Sequence, residues 1–167
     1  MANKNVRVKV GDIFKIPLSG EKSAYGQYVH FDSQYGGLLQ VFDIFTDKDK
    51  QPDIEKIADS KPLFPAVFTG LKAAVKLDLW EIIGNKPVTN FIYPGFISTL
   101  YEATGEAGIW FFWDGEKTLK LGKELPDKYK SKEFLAVYAP DLIVKRIETR
   151  KNFYESLIKT NRLEIPK

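Results

Sequence analysis

Short alternations of apolar and polar residues, separated by turn signals, run through the first 120 residues of the chain. Residues 6–10 (VRVKV) and 25–31 (YGQYVHF) alternate with period two, the pattern of a strand with one face in a core. Asp114-Gly115 separates residues 107–113 from 117–121 and predicts a tight hairpin turn. Closely spaced short strands of this kind are typical of a small barrel or sandwich.

Helical spacing is concentrated near the end of the chain. Pro140-Asp141 is a helix start signal, and apolar residues recur at about the helical repeat from 143 to 158. One or two helices are therefore predicted between residues 141 and 161. Residues 53–58 (DIEKIA) predict one or two further helical turns, whereas residues 75–83 (VKLDLWEII) alternate and predict a strand.

These patterns together predict a mainly β (α+β) fold. The expected architecture is a strongly bent antiparallel sheet or an SH3-like barrel with extra strands, followed by a C-terminal helical segment. Since the chain has 167 residues, we expect residues 1–167 to form a single domain.

Composition excludes several classes of protein. Hydrophobic residues make up 44% of the chain and aromatic residues 14%, which excludes a disordered chain. The absence of cysteine excludes a disulfide scaffold and a cysteine-based zinc site. A net charge of +3 is too small for a dedicated nucleic-acid-binding protein. The first residues lack the apolar stretch of a secretory signal, and no apolar run is long enough to span a membrane, so we expect a cytoplasmic protein.

Candidate catalytic and metal-ligating residues are sparse. His30 is the only histidine, so a site built on several histidines is excluded. The aspartates between residues 43 and 53 lack the glycine and distal glutamate spacing of a calcium loop. No phosphate-binding glycine motif or nucleophile elbow is present. We therefore expect no enzyme activity, no catalytic residue, no metal and no cofactor.

Residues 110–113 (WFFW) place large aromatic side chains on both faces of a predicted strand. Burial on both sides would make this run part of the core, whereas exposure of one face would make it a binding surface. The core interpretation is favoured, and the pattern alone leaves both open.

Three segments, in order, carry a resemblance to a known family. They are residues 10–18 (VGDIFKIPL) with 25–29 (YGQYV), residues 80–88 (WEIIGNKPV) ahead of 94–96 (PGF), and residues 140–147 (PDLIVKRI). The ordered set resembles the immunity protein 26 family of bacterial polymorphic toxin systems. The resemblance implies a cytoplasmic antitoxin that binds and blocks a toxin protein encoded at the same locus, and it supplies no catalytic residues.

Two other functions stay open. The opening Gly11-Asp12-Ile13 followed by two strands also looks like the start of the SH3-like toxin endoribonucleases. An RNA-cleaving or RNA-binding site needs clustered cations, yet Arg7 is the only arginine before Arg146. A non-enzymatic adaptor domain that binds another protein is the third possibility, and the sequence does not separate it from an immunity protein.

Two polar loops between apolar strands are the predicted partner-binding surface, since loops on a rigid scaffold carry recognition. The nominated residues are Asp32, Gln34 and Tyr35 in the first loop, and Asp47, Asp49 and Asp53 in the second. Tyr35 is the best single candidate because tyrosine is enriched at binding hot spots, although its ring could instead fold back over the core. The acidic loop would suit a cationic toxin such as a nuclease.

Overall fold

The computed structural model describes residues 5–164, which fold into ten strands, four α-helices and one 3₁₀ turn at Asp127–Tyr129. The strands are β1 Asp12–Pro17, β2 Lys22–Asp32, β3 Gly36–Asp47, β4 Val67–Thr69, β5 Glu81–Asn85, β6 Phe96–Tyr101, β7 Ala107–Trp113, β8 Thr118–Gly122, β9 Glu133–Phe134 and β10 Val137–Tyr138. The helices are α1 Ile54–Ala58, α2 Leu71–Lys76, α3 Pro140–Thr149 and α4 Glu155–Thr160. The predicted mainly β, α+β class is confirmed.

The described chain divides into two compact units. Unit 1 contains the residues up to Phe91 together with Ala136–Thr149, and unit 2 contains Ile92–Leu135 and the residues from Arg150 onward. The expectation that residues 1–167 form a single domain stays a prediction.

Unit 1 is built on a six-stranded sheet in the order β10-β4-β3-β2-β1-β5. Its neighbouring strands are antiparallel, except that β10 runs parallel to β4. The pairing of β2 with β3 shifts register twice, between Ser23 and Tyr25 and between Tyr28 and His30. Such irregularities bend a strand and increase its twist, so they curve the longest hairpin of the sheet.

Two of the segments that carry the family resemblance, residues 10–18 with 25–29 and residues 80–88, meet at one edge of this sheet. Gly11 has a φ of +97°, and a Cβ on it would lie 2.8 Å from the carbonyl oxygen of Lys86, so the turn requires glycine. The buried Gln27 donates from Nε2 to the carbonyls of Gly11 (3.3 Å) and Lys86 (2.8 Å). Asn85 donates from Nδ2 to Oδ1 of the buried Asp12 at 3.0 Å. These motif residues therefore join β1, β2 and the end of β5.

Helix α3 belongs to unit 1, and its buried face includes Ile143 and Ile147, both almost fully buried. The guanidinium of Arg146, also buried, lies 4.1 Å from the ring centroid of Phe64, within cation–π range. The predicted C-terminal helical segment is present as α3 in unit 1 and α4 in unit 2.

Unit 2 contains a four-stranded sheet in the order β8-β7-β6-β9, with the predicted hairpin turn at Asp114-Gly115 between β7 and β8. Trp110 is completely buried and meets Phe134 edge-on, with 6.5 Å between ring centroids. Trp113 packs on Tyr93, and Phe112 packs on Tyr129. Trp110 is thus part of the packed interior of this unit, whereas Phe111, Phe112 and Trp113 are half-buried.

Three local predictions were wrong. Residues 6–10 pair in neither sheet, because the chain enters β1 through the turn at Gly11. Residues 75–83, predicted as one strand, contain the end of α2, a turn with Asp78 at a φ of +56°, and the start of β5. Leu77 and Leu79, which supplied that alternation, are exposed. Residues 95–100, whose apolar sequence has no regular period and therefore predicts irregular structure, form most of β6.

Candidate partner-binding surface

The loop between β2 and β3 is a tight turn held by the side chain of Asp32. Its Oδ1 accepts hydrogen bonds from the backbone N–H groups of Gln34 and Tyr35, both at 2.8 Å. This is an Asx turn, in which the carboxylate takes the place of a backbone carbonyl. Gly36 then starts β3 with a φ of +87°. The first nominated loop is therefore an ordered scaffold, and the Asp32 carboxylate has a structural role in it.

Tyr35 is half-buried and packs on the core without being enclosed by it. Its ring centroid lies 5.5 Å from that of Phe68, a residue of β4 with no exposed surface. One side of the ring contacts the core, and Tyr35 also lines an open groove. Its role as a binding hot spot stays a prediction.

The groove beside Tyr35 has a volume of about 620 Å³ and lies wholly within unit 1. We call it the Phe31 groove. It is lined mainly by apolar and aromatic side chains from β2, the β2–β3 turn, α2 and β10, among them Tyr28, Phe31, Tyr35, Leu71 and Val137. Phe31 is 59% exposed and Val137 is 53% exposed. Large apolar side chains grouped at a concave surface are typical of a binding site.

Glycine at position 37 lets helix α2 approach the hairpin. A Cβ at Gly37 would lie 2.7 Å from Cδ1 of Leu71 and 3.3 Å from Cε2 of Tyr28. The missing side chain therefore lets Leu71 pack against the β2–β3 hairpin, where it is 4% exposed and lines the groove. Burial, followed by the charge of Asp12, raises the pKa of Tyr28, so its phenol stays protonated at neutral pH.

The second nominated loop carries charges of both signs. Asp47 pairs with Lys22 at 2.7 Å and with Lys50 at 3.6 Å, and its hydrogen bond from Lys22 is the main reason that its pKa is lowered. Lys15 donates from Nζ to the carbonyls of Lys48 and Lys50, which ties the loop to β1. Asp49 and Asp53 are exposed. The loop is therefore a mixed-charge surface rather than a uniformly acidic one.

The structure places the two nominated loops at opposite ends of one hairpin. In the β2–β3 pairing, Asp32 lies opposite Gly36 and Lys22 lies opposite Asp47. Ten residue steps along a strand correspond to about 33 Å if the strand is straight. Asp32, Gln34 and Tyr35 therefore form one candidate surface, and Asp47, Asp49 and Asp53 form another. Their role in partner binding stays a prediction.

Sequence reasoning missed most of the groove. It placed Phe31 on the same face of β2 as Gln27 and Val29, yet those two residues are buried and Phe31 is exposed. The register shift between Tyr28 and His30 breaks the simple alternation at this point. The contributions of α2 and Val137 had no sequence signal, because those residues are distant in the chain from the β2–β3 turn.

Other kinds of site find little support in residues 5–164. No group of three or more His, Asp or Glu side chains in that range is placed to hold a metal ion. The helices of the described chain are all too short or too polar to cross a membrane. Residues 1–4, on which the expectation of no secretory signal partly rests, lie outside the described range.

Comparison with known protein families gives a match. The family model described as Immunity protein 26 matches residues 9–93, just over half of the chain. The matched range covers β1 to β5 and most of the Phe31 groove, whereas Val137 and the segment at 140–147 lie outside it. No curated protein and no solved structure matches the chain significantly.

Proposed function

The chain belongs to the immunity protein 26 family, and we propose that it neutralises a cognate bacterial toxin domain by stoichiometric protein–protein binding. The toxin would be encoded at the same locus of a polymorphic toxin system, and the complex would form in the cytoplasm. The family match is the observation that carries this proposal.

The Phe31 groove supports a binding role. An exposed aromatic side chain lies beside a half-buried tyrosine on an ordered turn. Aromatic residues on an ordered backbone are typical of an interface hot spot. Phe31 and Tyr35 are separated by the Asx turn of Asp32, so their backbone is held before a partner arrives. A site that is already ordered loses less conformational entropy on binding.

We assign no catalytic step to the chain. His30 is half-buried and stacks on Phe91, with 6.1 Å between ring centroids. Arg146 is buried against Phe64, so its guanidinium is not available at the surface to bind an RNA phosphate. The cationic cluster that an SH3-like endoribonuclease needs would then have to be built without it. Inhibition by occupancy of the toxin fits these observations better than RNA cleavage.

Co-expression with the toxin encoded beside this chain tests the proposal. We expect the chain to restore growth, and the purified proteins to elute together from a sizing column as a complex of defined stoichiometry. Absence of both rescue and complex would overturn the proposal.

A titration separates binding from enzymatic inactivation. If the chain acts by occupancy, residual toxin activity should fall linearly and reach its minimum at the stoichiometric point. Complete loss of toxin activity at a small fraction of one equivalent would indicate catalysis by the chain and contradict the proposal. RNA incubated with the chain alone should stay intact.

A further inference from the structure

We propose that the Phe31 groove receives an apolar side chain of the toxin that is flanked by acidic residues. The proposal rests on the proposed function and deepens it, because it names the chemistry of the toxin surface. The groove volume of about 620 Å³ lies within the range of pockets that accept a drug-sized group, so one or two large side chains would fit.

The charged side chains that line the groove indicate which toxin residues should flank the apolar side chain. Among the described residues that line it, the charged ones are Lys72 and Lys76, four positions apart on α2. Both lysines are exposed. A partner that brings carboxylates to this rim would be complementary, whereas a cationic partner would meet like charge. The mixed-charge loop at 47–53 lies at the far end of the hairpin. The nearer carboxylate of Asp32 does not line the groove and accepts two backbone hydrogen bonds within its own turn.

Apolar contacts would come from buried and exposed residues that line the groove. Leu71 and Tyr28 are buried, and Phe31 and Val137 have more than half of their surfaces exposed. An entering apolar side chain would therefore remove apolar surface from water on both molecules, which is the main source of affinity at such a site. The lysine rim would mainly speed association.

Two variants of the chain separate these contributions. Phe31→Ala should weaken toxin binding by about 30-fold or more, mainly through faster dissociation. The double variant Lys72→Glu/Lys76→Glu should slow association by about 10-fold or more, and the difference from wild type should shrink as salt is raised. Both rates are measured by surface plasmon resonance with the purified toxin domain.

Matched controls exist elsewhere in the chain. Leu119 is 53% exposed and lies on β8 of unit 2, so Leu119→Ala removes a similarly exposed apolar side chain outside the groove. Lys56→Glu/Lys61→Glu reverses two exposed lysines of unit 1 that do not line the groove. These controls should bind within about 2-fold of wild type. Melting temperatures of all variants show whether the fold is intact.

The proposed acidic residues of the toxin can be tested directly by changing the toxin. Exposed carboxylates of the toxin are changed singly to lysine, and each variant is measured against the Lys72→Glu/Lys76→Glu chain. Recovery of fast association by at least one toxin variant is expected. Recovery by none, together with unchanged binding of Lys72→Glu/Lys76→Glu to wild-type toxin, would overturn the acidic flank.

Outcomes distinguish this proposal from the one on which it rests. If the wild-type chain binds no toxin, the proposed function fails and the groove assignment falls with it. If wild-type binding persists unchanged in folded Phe31→Ala and Lys72→Glu/Lys76→Glu variants, only the groove assignment is overturned. A self-association that Phe31→Ala abolishes without changing toxin affinity would place a second copy there. A small apolar molecule found bound by native mass spectrometry, with the same unchanged affinity, would equally overturn the toxin as occupant.

Discussion

The side chain of Gln27 donates a hydrogen bond from Nε2 to the backbone carbonyl of Lys86 at 2.8 Å, and thereby links the middle of β2 to the residue that follows β5. Gln27 is 5% exposed and its Nε2 also lies 3.3 Å from the carbonyl of Gly11. The backbone N–H of Lys86 in turn donates to the same Gly11 carbonyl at 3.0 Å. One buried amide therefore satisfies backbone groups from two segments that are 75 residues apart in numbering (86 − 11).

Gln27→Ala should lower the free energy of unfolding by about 2–3 kcal/mol. The change removes the side-chain donor to the carbonyls of Lys86 and Gly11, of which the Gly11 carbonyl keeps the backbone N–H of Lys86, and it leaves a small cavity. Both effects destabilise a folded protein. Urea denaturation measures it, with Gln34→Ala as the control because Gln34 is exposed and its side chain has no comparable buried role. The control should change stability by less than about 0.5 kcal/mol. Equal effects of the two variants would contradict the structural role of Gln27.

Asp32→Ala should lower the free energy of unfolding by about 1 kcal/mol, since two backbone N–H groups of the turn lose their acceptor. Asp32→Asn keeps an acceptor oxygen at the same position and should stay close to wild type. If the residue assists toxin binding through the shape of the turn, the asparagine variant should also retain wild-type affinity. A loss of affinity in Asp32→Asn, with stability unchanged, would instead assign the charge itself to the interface.

Tyr35→Ala should cost about 1 kcal/mol of stability through lost packing on Phe68, and the fold should persist. Its larger effect should be on toxin affinity, with a loss of at least about 10-fold, because the ring also lines the Phe31 groove. Thermal melting and surface plasmon resonance measure the two quantities. Tyr101→Ala is the control, since Tyr101 is a 49% exposed tyrosine in unit 2. Collapse of the fold would make Tyr35 a core residue, and unchanged affinity would remove it from the interface.

Acid should weaken the contact between Glu148 and Ser19. The carboxylate accepts hydrogen bonds from the backbone N–H (2.6 Å) and the hydroxyl (2.7 Å) of Ser19, and the backbone bond is the main reason that the pKa of Glu148 is lowered. A carboxyl whose pKa is lower in the folded state stabilises the fold above its unfolded pKa. That contribution is lost as the pH falls through the folded pKa.

Urea midpoints measured from about pH 6 to about pH 3 should therefore fall further for wild type than for Glu148→Gln. The difference should be small, since Glu148 is exposed and solvent screens the interaction. Glu21→Gln is the matched control, because Glu21 is an exposed glutamate of the same unit. A wild-type pH profile that parallels that of Glu148→Gln would show that the contact does not contribute to stability in solution.

Some elements could be predicted because their signals are local. The hairpin of β7 and β8 follows from an Asp-Gly turn between two apolar runs, and α3 follows from a proline start and helical spacing. The strand at 75–83 could not be excluded on the same basis. Its alternation includes Leu77 and Leu79. In the folded chain residues 71–76 form α2, and both leucines are exposed. Intrinsic preferences of short segments are weak, so tertiary packing overrides them.

By itself, the sequence determined the α+β class, the family resemblance and the turn between β2 and β3 that carries Asp32 and Tyr35. Only the tertiary structure decided that Asp47 lies at the opposite end of the same hairpin, and that Phe31 borders a groove with Lys72 and Val137. The reason is physical. Periodicity reports which face of an element is apolar, whereas a groove arises where elements distant in the chain pair and pack. That pairing depends on register, bulges and close approaches such as Gly37 against Leu71, which no local pattern encodes.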